Sequence, residues 1–151
     1  MHCRFRITAA LAGVFLGALV TDASASDAMI TYRQSVMEAL GGHTKALAAL
    51  VKGEVPMAAD AKGHVAAIEA LAPMAANVFP PDSAKGSVET WAQPAIWEKT
   101  DAFKKQMVAM QDASDALAKA YAADPKPSAL APAFGAFVKT CKACHDDFKR
   151  K

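Results

Sequence analysis

The chain has 151 residues, of which 53% are hydrophobic and 7% aromatic, and its formal net charge at pH 7 is +2. This length is expected to form one domain of ordinary size. The 17 basic residues include no dense block, so the charge gives no electrostatic basis for nucleic-acid binding.

Residues 1–25 have the pattern of a secretory signal peptide. Two arginines precede an apolar run over residues 7–20, and Ala23-Ser24-Ala25 has the small-x-small pattern that signal peptidase cuts. The run is shorter than the ~20 residues of a membrane-spanning helix, and no second run follows. We therefore predict a soluble periplasmic protein that begins at Ser26, with residues 26–151 as its one domain.

Cleavage would change both the charge and the cysteine content. It removes Arg4, Arg6 and Asp22 from 17 basic and 15 acidic residues, which leaves 15 and 14 and a net charge of +1. It also removes Cys3, so the mature chain keeps two cysteines and has no disulfide framework.

A first helix is predicted over residues 27–52, with Ser26 or Asp27 as its N-cap. Gly41-Gly42 in its middle indicates a close packing neighbour. A second helix is predicted over residues 58–71, and Pro73 is expected to end or kink it. Both helices have inward positions spaced by three and four: Arg33, Met37, Leu40, Thr44, Leu47 and Val51 in the first; Ala61, Val65, Ile68 and Leu71 or Ala72 in the second.

A long loop over residues 79–94 separates these helices from two more. The third helix is predicted to start at Ala95 and the fourth to span residues 128–149, and Trp91, Trp97 and Phe103 are expected to pack at the end of the bundle. Four helices without a strand signal predict an all-α fold, an antiparallel four-helix bundle. The inward positions are Thr100, Phe103, Met107, Met110, Ser114, Leu117 and Tyr121 in the third helix, and Leu130, Phe134, Phe137, Cys141, Cys144 and Phe148 in the fourth.

The fourth helix contains Cys141-Lys142-Ala143-Cys144-His145. On a helix, Cys141, Cys144 and His145 project from one face. Two thiols can then add to the vinyl groups of a haem while the imidazole takes the proximal position on the iron, and C-x-x-C-H is the attachment signal of c-type haem. The sequence therefore predicts one covalent haem c, held by Cys141 and Cys144, with His145 as the proximal ligand.

Three other interpretations of the motif stay open. A thioredoxin-like dithiol would need a preceding strand, and none is predicted. A structural zinc site needs four ligands, whereas His43 and His64 lie in separate segments without ligand spacing. A disulfide between the two cysteines is the third. No catalytic constellation accompanies the motif, and Asp146-Asp147 is expected to be solvated, so we do not expect an enzyme.

Over nearly all of residues 27–151 the chain resembles the class II c-type cytochromes, the four-helix-bundle group of cytochrome c′ and the low-spin cytochrome c-556. Three features support the resemblance: C-x-x-C-H at the extreme C-terminus, Tyr32-Arg33-Gln34-Ser35 in the first helix, and Pro94-Ala95-Ile96-Trp97 opening the third. The loop over residues 78–86 is similar to that of the c-556 type.

The resemblance also implies roles for single residues. Met37, four residues after Arg33, matches the position that faces the open side of the haem, where a methionine ligates the iron in c-556 and a non-ligating side chain leaves it five-coordinate in cytochrome c′. Met37 is thus expected to be the distal ligand, with Met74, Met107 and Met110 as rivals and simple core packing as the alternative. Arg33 is expected near a haem propionate, unless it is an ordinary solvated arginine.

The implied function is a periplasmic electron carrier with His145/Met37 six-coordinate iron. The alternative is a five-coordinate cytochrome c′ that binds nitric oxide or carbon monoxide. Redox proteins are the expected partners, and a homodimer through the first two helices is implied by the resemblance; Lys149 stands where many cytochromes c′ have arginine.

Overall fold

The computed structural model describes residues 22–151, with side chains from residue 25 onward. Most of the predicted signal peptide therefore lies outside the described residues. Five helices form the described part of the chain: α1 (Asp22–Val51), α2 (Ala61–Asn77), α3 (Ala95–Glu98), α4 (Thr100–Ala123) and α5 (Ala131–Phe148). Between residues 22 and 151 no helix is long and apolar enough to cross a membrane.

The four long helices form the predicted bundle. Helix α1 packs on α2, α2 on α4, and α4 on α5, whereas α1 and α5 scarcely meet. The connecting loop (residues 78–94) contains one 3-10 turn, Pro81–Ser83, and no strand. The gap between α1 and α5 is the feature that matters for function, because the last helix carries the cysteine motif.

Most of the core consists of the apolar positions that the helical spacing predicts, but α1 also buries Ile30, Val36 and Leu50, which were not predicted. Leu47, Ile68 and Phe137 are completely buried, and α4 contributes Phe103, Met107, Met110 and Leu117. In α5 the predicted inward positions 134, 137 and 148 are buried, as is Leu130 in the turn before it, and both cysteines are partly buried against the same core. Burial of each large apolar side chain stabilises the fold by about 1.5–3 kcal/mol.

Two predicted helix ends are wrong. Helix α1 begins at Asp22, so Ser26 and Asp27 lie within the helix and cap nothing; their side chains bind the connecting loop instead. Helix α2 continues past Pro73 to Asn77. Pro73 cannot donate to the carbonyl of Glu69, and because both residues are exposed, the helix tolerates the lost hydrogen bond.

The two remaining helices also differ in detail from the prediction. The predicted third helix is divided into α3 and α4 at Lys99, whose φ of −115° and ψ of 52° are not helical. The fourth begins with a 3-10 turn, Pro127–Leu130, before α5. Thr100, predicted to point inward, is exposed, because it is the first residue of α4 after this break. From Phe103 to Leu117 the inward face lies where the spacing predicts it.

Candidate haem site

A cavity of about 790 Å³, which we call the central cavity, lies where α1 and α5 separate. It is lined by all five predicted site residues: Arg33, Met37, Cys141, Cys144 and His145. Its volume falls within the range of about 300–1,000 Å³ that is usual for ligand and cofactor sites. The structure thus brings together, from opposite ends of the chain, the residues that the sequence analysis singled out.

Helix α5 presents the two thiols to the central cavity. Cys141 follows Phe137 by one turn, and its thiol lies 3.7 Å from the Phe137 carbonyl oxygen, so the motif continues the buried face of the helix. Burial raises the pKa of Cys141, and burial together with the Cys141 and Asp147 charges raises the pKa of Cys144 to about 11. Both thiols are therefore protonated at neutral pH.

These properties bear on the other interpretations of the motif. A redox-active dithiol has a lowered cysteine pKa, whereas both pKa values here are raised. In residues 22–151 no group of three or more His, Cys, Asp or Glu side chains could hold a metal ion, which counts against a structural zinc site. Both cysteines are free, so they form no disulfide.

His145 completes the α5 side of the site. Although the residue is exposed, partial desolvation lowers its pKa, and the nearby positive charge of Lys149 lowers it further. A lowered pKa keeps the imidazole neutral at physiological pH, and the neutral imidazole is the form that ligates a metal. The pKa change that partial desolvation and Lys149 impose thus favours the ligand role.

The far wall of the central cavity is apolar. Phe103, Met107 and Met110 of α4 and Phe148 of α5 line it, and Phe103 and Phe148 meet edge to face at 5.3 Å between ring centroids. A flat apolar macrocycle fits such a wall, and two thiols and an imidazole on the adjoining helix supply the donor set of c-type haem. The residues present therefore fit this cofactor.

Gly41 and Gly42 of α1 also line the central cavity. The expected close packing neighbour is wrong, because a Cβ atom at either position would meet no atom within 4 Å. Met37 lies one turn earlier in α1 and is partly buried. The missing side chains of the glycines widen the cavity beside Met37.

Arg33 is 2% exposed, so it is not the solvated arginine of the alternative interpretation. Its guanidinium lies 5.1 Å from the centroid of Phe79 and 5.6 Å from that of Trp97, and it donates hydrogen bonds to Ser83 and Thr90. All these partners are neutral. Burial lowers the pKa of Arg33. The guanidinium lines the central cavity, and none of these partners is a carboxylate.

The C-terminus closes one edge of the central cavity. The Gln93 and Arg150 backbone amides donate to the carbonyl oxygens of Phe148 and Trp91 at 3.0 and 2.8 Å. Trp91 is 60% exposed, so its predicted packing in the bundle end is wrong; its ring instead lies 4.5 Å from the Lys149 ammonium. Trp97 and Phe103 do pack against the core, as expected.

One pair of side chains outside the central cavity was not predicted from the sequence. His43 of α1 and His64 of α2 place their Nδ1 atoms 3.0 Å apart, although 21 residues separate them in sequence. The antiparallel packing of α1 on α2 brings them together. Their positions on either side of the turn between two antiparallel helices could have indicated the pairing, but the search for metal-ligand spacing along one segment could not.

Comparison with known proteins agrees with this geometry. The family model described as Cytochrome C' matches residues 28–149. A cytochrome c' of Pararhodospirillum photometricum is 38% identical over 123 residues, which cover 82% of this chain and 97% of that protein. The chain belongs to the cytochrome c′ family. Its fold and its covalent haem c, both predicted from the sequence, are confirmed at the level of this family of electron-carrying haem proteins.

Members of both types of class II cytochrome resemble the chain. A cytochrome c-556 of Agrobacterium tumefaciens is 37% identical over 79% of this chain and 94% of its own. The structure of a nitric oxide complex of a cytochrome c prime variant from Alcaligenes xylosoxidans has a TM-score of 0.74 and 31% identity, covering 83% of this chain and 97% of that one. Relatives named cytochrome c′ predominate, so the comparisons favour the gas-binding alternative over the six-coordinate carrier.

Proposed function

We propose that this chain is an exported electron carrier that holds one haem c in the central cavity. Cys141 and Cys144 would attach the cofactor, and His145 would be the proximal ligand. The observation that supports this most strongly is the single cavity lined by both thiols, the neutral imidazole of α5 and an apolar wall from α4. When bound, the haem supplies a one-electron iron couple.

The protein's own residues would tune that couple in three ways. The apolar wall excludes water, and Arg33 contributes a buried positive charge at the rim. Lys149, four residues after His145, adds a second positive charge on the proximal side. Positive charge near a redox centre favours the reduced state by electrostatic attraction. A propionate role for Arg33 remains part of the proposal, since its present hydrogen-bond partners are all neutral.

Met37 is our candidate for the sixth ligand of the iron. Three methionines line the central cavity, but Met107 and Met110 are each only 5% exposed and are packed among the core of α4. Met74 is 41% exposed and is not part of the cavity lining. Met37 is thus the partly exposed methionine on the helix opposite His145, and a Met/His pair is an established haem ligation.

The test is a visible spectrum and a carbon monoxide titration of wild type, Met37→Ala and the control Met110→Leu. With Met37 as ligand, the wild type is low-spin and binds carbon monoxide slowly, while Met37→Ala is high-spin, binds it faster and has a lower reduction potential. Met110→Leu keeps the wild-type spectrum, because it alters only the packed wall.

Gas binding is the second candidate function, and the predominance of relatives named cytochrome c′ supports it. In that case Met37 only packs, and an open distal face admits nitric oxide or carbon monoxide. A wild type that is already high-spin and binds carbon monoxide as fast as Met37→Ala would favour this function. Absence of haem bands would reject both candidates.

Export and assembly complete the proposal. Removal of residues 1–25 would deliver a chain beginning at Ser26 to the periplasm, where redox proteins are the expected partners, and α1 and α2 would form the homodimer interface. Intact mass of the exported protein decides the first point, and light scattering decides the second. A soluble product that keeps residues 1–25, or a monomer at high concentration, would contradict them in turn.

A further inference from the structure

The His43 and His64 rings form a pair on the outer side of α1 and α2. Their Nδ1 atoms are 3.0 Å apart, their centroids are 5.2 Å apart, and their planes are inclined by 57°. Both side chains are partly exposed, and they border a surface depression that also includes Asp60, Lys62 and Gly63. Neither histidine lines the central cavity, so the pair is separate from the proposed haem site.

The separation of the two nitrogens fits ligation of one metal ion. Imidazole nitrogens bind first-row metals at about 2.0–2.1 Å, so a 3.0 Å separation corresponds to a nitrogen–metal–nitrogen angle of roughly 91–97°. That angle is close to the right angle of square-planar or tetragonal sites, the geometry of copper(II) and nickel(II), and smaller than the tetrahedral angle of zinc. Copper(II) also forms the most stable complexes in this series.

We propose that His43 and His64 bind one copper(II) ion through their Nδ1 atoms, with water in the remaining positions. No third His, Cys, Asp or Glu side chain joins them in the part of the chain that the structure describes. In the single chain the site is therefore open and exchangeable, unlike a closed structural site. The two ligands belong to different helices, so the ion would cross-link α1 and α2.

The fold holds both rings in place before any metal arrives. The two helices pack along each other, with Leu40 and Leu47 of α1 and Val65 and Ile68 of α2 all buried around this level. A shared N–H···N hydrogen bond between two neutral imidazoles is the competing explanation of the same distance. Only the metal site requires both rings to act together on an added ion. A measurement of metal binding therefore distinguishes the two explanations.

The experiment uses the mature, haem-loaded protein, in which His43, His64 and His145 are the three histidines that remain after residues 1–25 are removed. Equilibrium dialysis against copper(II), nickel(II) or zinc(II) salts measures bound metal per chain. His43→Ala, His64→Ala and the double variant are compared with the wild type, and Lys62→Ala is the matched control that leaves both rings intact. Circular dichroism verifies that each variant keeps its helix content. If His43→Ala does not, His43→Gln takes its place.

The wild type and Lys62→Ala should bind one copper(II) ion more tightly than nickel(II) or zinc(II), with electron paramagnetic resonance splitting from two imidazole nitrogens. Mutation of residues that only hydrogen-bond a metal ligand lowers metal affinity by roughly 10- to 100-fold, so each single variant should lose at least that much copper affinity. The double variant should lose little more than either single variant. Residual binding at the chain's terminal amine is measured by the double variant. Equal copper binding by wild type and double variant, or full affinity in either single variant, would overturn the site and leave only a hydrogen-bonded pair.

Discussion

Arg33 of α1 donates a hydrogen bond from Nη1 to Ser83 Oγ at 2.8 Å, although the two residues are 50 positions apart in the sequence. The same nitrogen lies 3.3 Å from the Ser83 carbonyl oxygen, and Ser83 Oγ in turn donates to the Pro80 carbonyl at 2.8 Å. Arg33 is 2% exposed and Ser83 is completely buried. The pair fastens the connecting loop to the helix that lines the central cavity.

Replacing Arg33 by Met should lower the free energy of unfolding by at least about 2 kcal/mol, because buried acceptors on the loop lose their donor. Chemical denaturation of the haem-loaded protein measures this change. Gln34→Ala is the control, since its side chain also bonds the loop, to the Glu89 carbonyl at 2.7 Å, but at an exposed position. Equal losses in the two variants would contradict the special role of the buried guanidinium.

At Gly86 the connecting loop passes close against α1. A Cβ atom there would lie 2.6 Å from Ile30 Cδ1 and would also collide with the Asp27 carboxylate. Gly86→Ala should therefore destabilise the protein by about 1–3 kcal/mol. Thermal melts provide the measurement.

The control for this substitution is Gly135→Ala in α5. A Cβ atom at Gly135 meets nothing within 4 Å, so alanine should stabilise the helix by about 0.5–1 kcal/mol. The two changes are chemically identical and opposite in expected sign. A Gly86→Ala variant as stable as the wild type would mean that the loop does not pack on α1 in this way.

Asp27 gives the contact between α1 and the loop a pH dependence. Its carboxylate accepts hydrogen bonds from the Ser87 hydroxyl and from the Ser87 and Val88 amides, and these bonds, the hydroxyl first, lower its pKa below the ordinary value of 3.8. A lowered folded-state pKa stabilises the fold above the unfolded-state pKa, and that contribution disappears as pH falls through the folded-state value.

Asp27→Asn should therefore be less stable than the wild type at pH 6, and the difference should shrink as the pH falls below about 4. Melting temperatures between pH 6 and pH 2 test this expectation. Asp112→Asn, at an exposed position of α4, is the control. A constant difference between Asp27→Asn and wild type across this range would show that the carboxylate charge is not involved.

The sequence predicts the bundle well because its helices are amphipathic. Every large side chain from Phe103 to Leu117 that is spaced by three and four is buried, and the same spacing places Phe137 and Phe148 on the face that bears the cysteines. Local periodicity determines which face of a helix is apolar, so it also predicts which helix face borders the cofactor.

Contacts between distant segments were not predictable in the same way. Asp27 looked like an N-cap because local capping rules cannot detect a loop 60 residues away that uses its carboxylate. Pro73 looked like a helix end because proline usually stops a helix. Whether a helix can continue past a proline depends on packing with other segments, which the local sequence does not contain. The nearness of His43 to His64 depends on the relative register of α1 and α2, which neither segment contains alone.

The central claim is that Cys141 and Cys144 hold a covalent haem in the central cavity. The most direct measurement is the intact mass of the exported protein, together with haem staining after denaturation, for wild type, the double variant Cys141→Ser/Cys144→Ser and the control Thr140→Ser. The wild type and the control should carry the mass of one haem and keep its colour on a denaturing gel. The double variant should lose both; covalent haem retained in that variant, or a wild type whose mass includes none, would contradict the account.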